Sequence, residues 1–365
     1  MYLRYNDAQR QWIARHTSKE DFLATSSAPK TSLLLGSHSW TIHNDSQECS
    51  GSRSYTTNLT LSPCGEEQFT CHDGECVDMQ QRCDSRTDCR DGSDEVDCRK
   101  VSMDKGYSKS LTPGSTDEEK VNVDMTISID DILRIDEINE EFVAKITMVR
   151  EWVDYRLTFL NLKRDSSFLN TMTSEEENST WFPRVEINNI ENHNKFKRTS
   201  IADITKVIPN KEFEFQTGDV SQEKNVQLFK GSENKIMVRK QWSVTFICHY
   251  NTLMYPFDTQ VCKMEFLSFY PSMHLNPVRI IFNQNISLNR YFVRNISMCS
   301  STIANKPAVY VEVKLGRPLV SNILTIFIPT TILTAISFMV RLFAKDFPDM
   351  VVEVNLTVLL VQATL

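Results

Sequence analysis

Six cysteines fall within residues 64–98 at the spacing Cys64-x6-Cys71-x4-Cys76-x6-Cys83-x5-Cys89-x8-Cys98. The same stretch holds eleven Asp and Glu against three Lys and Arg, a local charge of −8, while the whole chain carries −7. A unit so short and so poor in apolar side chains cannot build a core, so disulfides and a bound cation must hold it. Carboxylates are hard oxygen donors of the kind Ca²⁺ gathers; zinc would ask for thiolates, which bridging removes. Spacing alone leaves fifteen pairings open. A second pair, Cys248 and Cys262, encloses 13 residues that include Tyr255-Pro256-Phe257-Asp258. As a disulfide it would restrict the unfolded chain by roughly 3 kcal/mol, and Pro256 between two aromatics suggests a tight turn of the kind a cis bond allows. Cys49 and Cys299 are left over.

Cysteine use of this kind implies an oxidising compartment. Sequons at Asn44, Asn58, Asn178, Asn285 and Asn295 agree with extracellular exposure, whereas the one at Asn355 lies in an apolar run and is expected to stay unmodified. The seven histidines show no metal spacing, and no Ser/His/Asp grouping or phosphate-cradling glycine loop occurs. Nothing suggests an enzyme. The negative charge argues against nucleic acid as a partner.

The elements that would position these residues change along the chain. Residues 1–63 show no clear period, although Trp40-Thr41-Ile42 and Leu59-Thr60-Leu61 have strand character; the segment is expected to be the remnant of a preceding extracellular domain. The cysteine module follows at 64–98, and 99–120 reads as a polar linker. From Val121 the pattern is alternation, with Val123, Met125, Ile127 and Ile129 in phase, and later runs repeat it: 142–149, 155–162, 236–248, 261–267, 278–282 and 308–315. Short strands with turn-rich connections over 121–317 predict an immunoglobulin-like β-sandwich. Residues 319–340 form an uncharged run of 22 residues, the ~20 needed to cross a bilayer as a helix. A second apolar helix begins at 350–365. The fold class is therefore mainly β: a small disulfide-rich calcium module, a sandwich, then incomplete transmembrane α-helices. With no apolar leader before Trp12 and a last residue inside a hydrophobic segment, the sequence reads as a piece cut at both ends.

The 64–98 unit, ending in Asp88-Cys89-Arg90-Asp91-Gly92-Ser93-Asp94-Glu95, closely resembles the LDL-receptor class A repeat. That resemblance implies pairings 64–76, 71–89 and 83–98. It also implies Ca²⁺ held by the side chains of Asp84, Asp88, Asp94 and Glu95 and the backbone carbonyls of Gln81 and Arg86, with Asp91 stabilising the turn. The loop closed by Cys248 and Cys262 resembles the signature of the Cys-loop, pentameric ligand-gated ion channel family. Around it, in family order, stand Trp152-Val153-Asp154, Trp181-Phe182-Pro183, Leu315-Gly316-Arg317 and Ile328-Pro329. By that resemblance Phe269, seven after Cys262, is the principal aromatic of an agonist box, where a cation could rest on the ring. Asn188 shares its face, Tyr291 and Phe292 belong to a capping hairpin with its tip at 299–306, and Thr147, Val149 and Arg239 line the complementary side. The adjacent cysteine pair of nicotinic subunits is missing, so acetylcholine bound in that manner is not expected; Arg239 could instead meet a carboxylate.

Resemblance also places Glu137 opposite Arg317 at the membrane junction, with Tyr255, Pro256, Phe257 and Asp258 of the disulfide loop beside them. Asp349, Glu353, Thr357, Leu360 and Thr364 recur at helical spacing and would become rings around a fivefold pore. Acidic rings favour cations, and the Pro-Ala-Arg run of the family's anion channels is absent. The expectation is a plasma-membrane channel subunit with its ligand-binding region outside. Its partners would be other subunits in a homo- or heteropentamer, a small-molecule agonist, the bilayer and an extracellular protein partner of the calcium module. The rival is an adhesive or endocytic receptor gripping a basic protein, but that would need one spanning helix and a tail, not a second apolar helix so soon.

Overall fold

The computed structural model describes residues 2–15, 22–30, 34–43, 54–65, 68–114, 120–163, 170–190, 197–198, 203–209, 226–283, 286, 288, 290–343 and 348–364. Asn44, Cys49, Asn285 and Leu365 lie outside the described residues. Two compact units emerge, each assembled from separated pieces of chain: residues 1–109, 153–180 and 205–236 in the first, and 110–152, 181–204 and 237–365 in the second.

The first unit opens with a five-stranded antiparallel meander, Tyr2–Asn6, Gln11–Arg15, Phe22–Ser26, Gly36–His43 and Ser54–Leu61, paired in sequence order. Ala14, Ala24, Ala28, Leu34 and Trp40 form its core. The five strands are therefore a sheet with a core of its own. The cysteine module adds a hairpin, Gln68–Thr70 with Cys76–Asp78, around Phe69, Cys71, Val77, Met79 and Cys89. The stretch read as a linker departs from expectation at once: Val101–Met103 is a strand, paired to Leu157–Leu160, which pairs in turn with Leu228–Lys230. Three residues are too few for alternation to show, and the strand exists because partners remote in sequence supply its hydrogen bonds. The short helix Ser174–Ser179 carries a capping box, Thr173 with Glu176.

In the second unit the 16-residue strand Val121–Asp136 runs antiparallel to Glu141–Trp152 and parallel to Met273–Phe282. Their sheet is ordered Lys197–Arg198, Lys235–Ile247, Glu141–Trp152, Val121–Asp136, Met273–Phe282. The facing sheet is ordered Val185–Ile187, Thr259–Ser268, Lys306–Gly316, Phe292–Ile303. Alternate residues of both are removed from water: Val123, Met125, Ile127 and Ile129 on one, Met264, Phe266, Val309, Val311 and Val313 on the other. Period-two patterning is what two sheets packed face to face require, and it explains why this part was readable. The hairpin Phe292–Ile303 with Lys306–Gly316 turns at Ala304 and Asn305, both at positive φ, as a two-residue turn demands.

Beyond Gly316 the chain becomes helical: Leu319–Asn322, a widened π-type turn Ile323–Phe327, then Ile328–Phe343. Pro329 donates no hydrogen bond and crowds the carbonyl four residues back, and the widened turn lies where that carbonyl belongs. Leu319–Leu342 is one helical stretch of 24 residues, long and apolar enough to cross a bilayer. A second helix, Pro348–Thr364, packs beside it, with Ser337 donating to Asn355 and Gln362 Nε2 to Thr334 Oγ1 at 3.0 Å.

Candidate functional site

Arg317 follows the strand Lys306–Gly316 and precedes the first apolar helix, and most of the predicted coupling residues gather on it. Its Nη2 donates to Glu137 Oε2 at 2.7 Å and its Nη1 to Glu137 Oε1 at 3.2 Å. Its Nε lies 2.9 and 3.0 Å from the two oxygens of Asp258. The guanidinium faces Tyr255 at 4.8 Å on one ring and Tyr291 at 4.5 Å on another. Burial opposes its charge, but the bonds to Glu137 and Asp258 outweigh that and raise its pKa. Tyr255 extends the contact to the apolar helical stretch, stacking on Phe327 at 6.5 Å. The loop carrying Tyr255, cis-Pro256, exposed Phe257 and Asp258 is closed by a Cys248–Cys262 bond, and Gln260 ties its two ends by accepting from Asn251 N and donating to Asn251 O, both at 2.8 Å.

Tyr291 immediately precedes the first strand of the predicted hairpin and Phe292 opens it. They lie at the foot of their hairpin, where Phe292 pairs with Gly316, and the tip at Ala304 and Asn305 is a whole strand away. The tip falls inside the expected 299–306, but Phe292 stands at the opposite end, under the guanidinium of Arg294 at 5.5 Å. Tyr291 is buried on Arg317, and burial together with Glu137 raises its pKa. Counting residues gave the hairpin its position but not its direction of reach.

The residues predicted for an agonist box fall into two groups. In the first, Phe269 is 41% exposed, and its amide donates to Arg184 O at 3.1 Å. The Arg184 guanidinium stands 5.8 Å from the Phe269 ring, so a cation of this chain already faces the aromatic. Asn188 N and Nδ2 donate to Glu265 O at 2.9 Å and Glu265 Oε2 at 2.7 Å. Beneath lies an aromatic platform: Trp181 meets Trp152 at 6.2 Å and Tyr270 at 5.8 Å, and Trp152 meets Phe182 at 5.4 Å. In the second group Thr147 is buried and its hydroxyl donates to Asp130 Oδ2 at 2.5 Å. Gln241 Nε2 reaches the same oxygen at 2.7 Å, and Ser128 donates to the other at 2.8 Å. Val149 is half-buried two residues along, and Arg239 is exposed two residues before Gln241. Arg184, Glu265, Asp130 and Gln241, which contact these residues, were not among the predicted ones. Asp130 and Gln241 are 111 positions apart, so no local spacing links them.

In the cysteine module the bonds run 64–76, 71–89 and 83–98. Glu95 Oε1 accepts from the amides of Asp84 at 2.8 Å and Ser85 at 3.0 Å, Asp94 Oδ2 from the amide of Asp88 at 2.7 Å, and Asp88 Oδ1 from Gln81 Nε2 at 2.9 Å. Asp84 Oδ1 caps the amide of Arg86 at 2.9 Å, and Asp91 bonds the amides of Asp73 and Ser93. Among the described residues, no three acidic, histidine or cysteine side chains stand in metal-holding arrangement. Asp94 Oδ1, however, is buried and has no hydrogen-bond partner, which fits a cation-seeking oxygen. Cys299 is unbonded and exposed.

On the second helix Asp349, Glu353, Thr357 and Leu360 are exposed, whereas Val351, Val354, Asn355, Val358 and Gln362 are the more covered residues. Asn355 and Gln362 bond the first helix. At about 100° per residue, the predicted stripe therefore points away from the neighbouring helix. Thr364 lies on the same stripe by position.

Residues 100–312 match the family described as neurotransmitter-gated ion-channel ligand binding domain, and residues 62–98 match low-density lipoprotein receptor domain class A. Bovine gamma-aminobutyric acid receptor subunit pi is 23% identical over 245 residues, 64% of this chain and 49% of that protein. The module is similar to pieces of mouse SCO-spondin, 54% identical over 37 residues, and of the Drosophila melanogaster vitellogenin receptor Yl, 42% identical over 50 residues. Those matches cover 10% and 14% of this chain and 1% and 2% of those proteins. The chain thus spans about half the length of the bovine subunit and a small fraction of the other two.

Proposed function

Because the chain belongs to the neurotransmitter-gated ion-channel ligand-binding domain family, we propose that it is a subunit of a ligand-gated ion channel of the plasma membrane. Residues 121–317 form its extracellular ligand-binding head, 64–98 a calcium-binding module, and the two helices the beginning of its membrane part. The observation that carries this reading is the Arg317 cluster. It joins the disulfide loop through Asp258 and Tyr255, the strand end at Glu137, and the start of the apolar helix through Phe327. A displacement of the loop reaches the helix through the stacked rings of Tyr255 and Phe327. Ligand binding in such a head is converted to helix movement at that junction.

The subunit assembles with others, and the agonist lies against Phe269, Arg184 and Asn188 of one and Thr147, Val149 and Arg239 of its neighbour. With Arg184 over Phe269, an incoming cation would have to displace it, while a carboxylate would find it already oriented. That geometry favours an agonist with an anionic group. Cation selectivity rests on the stripe from Asp349 to Leu360, exposed on the side away from the first helix. Calcium would be held by Asp84, Asp88, Asp94 and Glu95 with the carbonyls of Gln81 and Arg86, and would neutralise the unpartnered Asp94 oxygen.

The test is voltage clamp of a full-length subunit carrying this head, screened against amino-acid and amine transmitters. A current evoked by carboxylate-bearing compounds, reversing with the sodium gradient, is expected. Reversal that follows chloride would discard the selectivity, and a subunit at the surface with no evoked current would discard the agonist class.

A further inference from the structure

The cysteine module is gripped on two sides by its own compact unit. On one side the Nζ of Lys163 donates to the main-chain oxygens of Met79 and Gln80, both at 2.8 Å. Lys163 is 4% exposed. Its own backbone is fixed by Asn170, which accepts from Lys163 N and donates to Lys163 O, each at 2.8 Å. The chain leaving the module is held next to it: Glu176 Oε1 accepts from the amides of Lys100 and Val101, and Leu160 N donates to Lys100 O at 2.9 Å. On the other side Ser37 N donates to His72 O at 2.7 Å. There Gly36 and Gly74, both at positive φ, approach so closely that a Cβ on Gly74 would sit 2.6 Å from Gly36 N.

A tethered module that catches outside ligands has no need of any of this. A lysine drawn out of water is expensive unless its donors are used, and here the backbone of the module uses two of them. The turn also has bonds that do not involve Lys163: Asp78 Oδ1 accepts from Gln80 N at 2.8 Å, and Gln81 N donates to Asp78 O at 2.9 Å. A rigid turn presenting two adjacent carbonyls outward is a receptor for an ammonium group.

We propose that the Met79–Gln80 turn is a docking site whose ligand is Lys163 of the same chain, so that the module is a fixed brace and this turn is closed to an outside basic protein. The inference goes beyond channel function and holds whether or not the subunit gates. Hydrogen exchange of the full chain in detergent, with the module's disulfides intact, tests it. In Lys163→Met the amides of Lys100, Val101 and Leu160 should exchange about 10- to 100-fold faster, the span expected when bonds from a charged donor are lost. Amides of Thr259–Ser268 and Lys306–Gly316 should keep their rates. Lys163→Arg, which keeps the charge but carries it on a planar fork, should fall between the two. If free thiols in the module show that Lys163→Met does not fold, the arginine variant is the comparison. Wild-type exchange at Lys100, Val101 and Leu160 in whichever variant folds overturns the proposal.

Discussion

Arg317 and Lys163 are both buried cations, and their surroundings differ in kind. Arg317 has two carboxylates and two tyrosine rings, and its charge is held more firmly than in water. Lys163 has neutral carbonyls, and burial, reinforced by Lys100 and Arg82, lowers its pKa to about 8. One site is an ionic network that needs its charge; the other is a fastening that needs donors. Their chemistry suits their residue types. A guanidinium serves several acceptors at fixed angles and does not deprotonate, whereas an ammonium is a compact donor whose pKa moves readily. A lost charge should therefore be felt as a broken junction at Arg317 and as a loosened seam at Lys163.

Removing Arg317 should have the largest effect. Arg317→Met leaves Asp258, with a side chain 3% exposed, charged and buried without its partner, at a cost of about 3–5 kcal/mol. Thermal unfolding of the solubilised chain should show it as a lowered midpoint, and Arg317→Lys should recover part, because one ammonium cannot serve both carboxylates. An unchanged midpoint in Arg317→Met would erase the distinction between the two cations. Lys163→Met should cost less, about 1–3 kcal/mol, because it strands carbonyls and no opposite charge. If that substitution proved the more damaging, the comparison would be inverted.

Within the network the two carboxylates should also separate. Asp258→Asn alters a fully enclosed acceptor that Gln260 also uses. Glu137 is a quarter exposed, so Glu137→Gln should cost only about 1 kcal/mol, water replacing part of what is lost. Equal losses would mean that exposure does not govern the cluster. Under voltage clamp, charge reversal at Glu137 should impair gating beyond this small change in stability. Normal gating would remove Glu137 from the coupling path.

How much of this was visible in the sequence follows from the range of the interactions. Cysteine spacing exposed the module because disulfides impose local intervals. Alternation exposed Val121–Ile129 because both faces of that strand have constant surroundings. The Arg317–Glu137 pair, 180 positions apart, came only through resemblance, since nothing in the intervening chain counts the distance. The strand Val101–Met103 was invisible for want of length, and Lys163 for want of any local pattern at all. Spacing placed Tyr291 and Phe292 with the hairpin, but a hairpin has two ends and spacing does not say which one a residue occupies. Of the amino-terminal sheet only Trp40-Thr41-Ile42 and Leu59-Thr60-Leu61 showed strand character, because a strand such as Ser54–Leu61, exposed over most of both faces, does not alternate.

The smallest predicted effect concerns the exposed cation, which belongs to neither class. Arg184 rests over Phe269 with one face in water, where such a contact is worth about 0.5–1 kcal/mol. Arg184→Ala should therefore leave the unfolding midpoint almost where it was. If the guanidinium meets the agonist, the same substitution should still raise the half-maximal concentration of a carboxylate-bearing agonist about tenfold, the loss of one charge-assisted bond. It should affect an uncharged agonist far less. A charged and an uncharged agonist shifting equally would show that Arg184 only shields the ring, and the anionic class of ligand would lose its support.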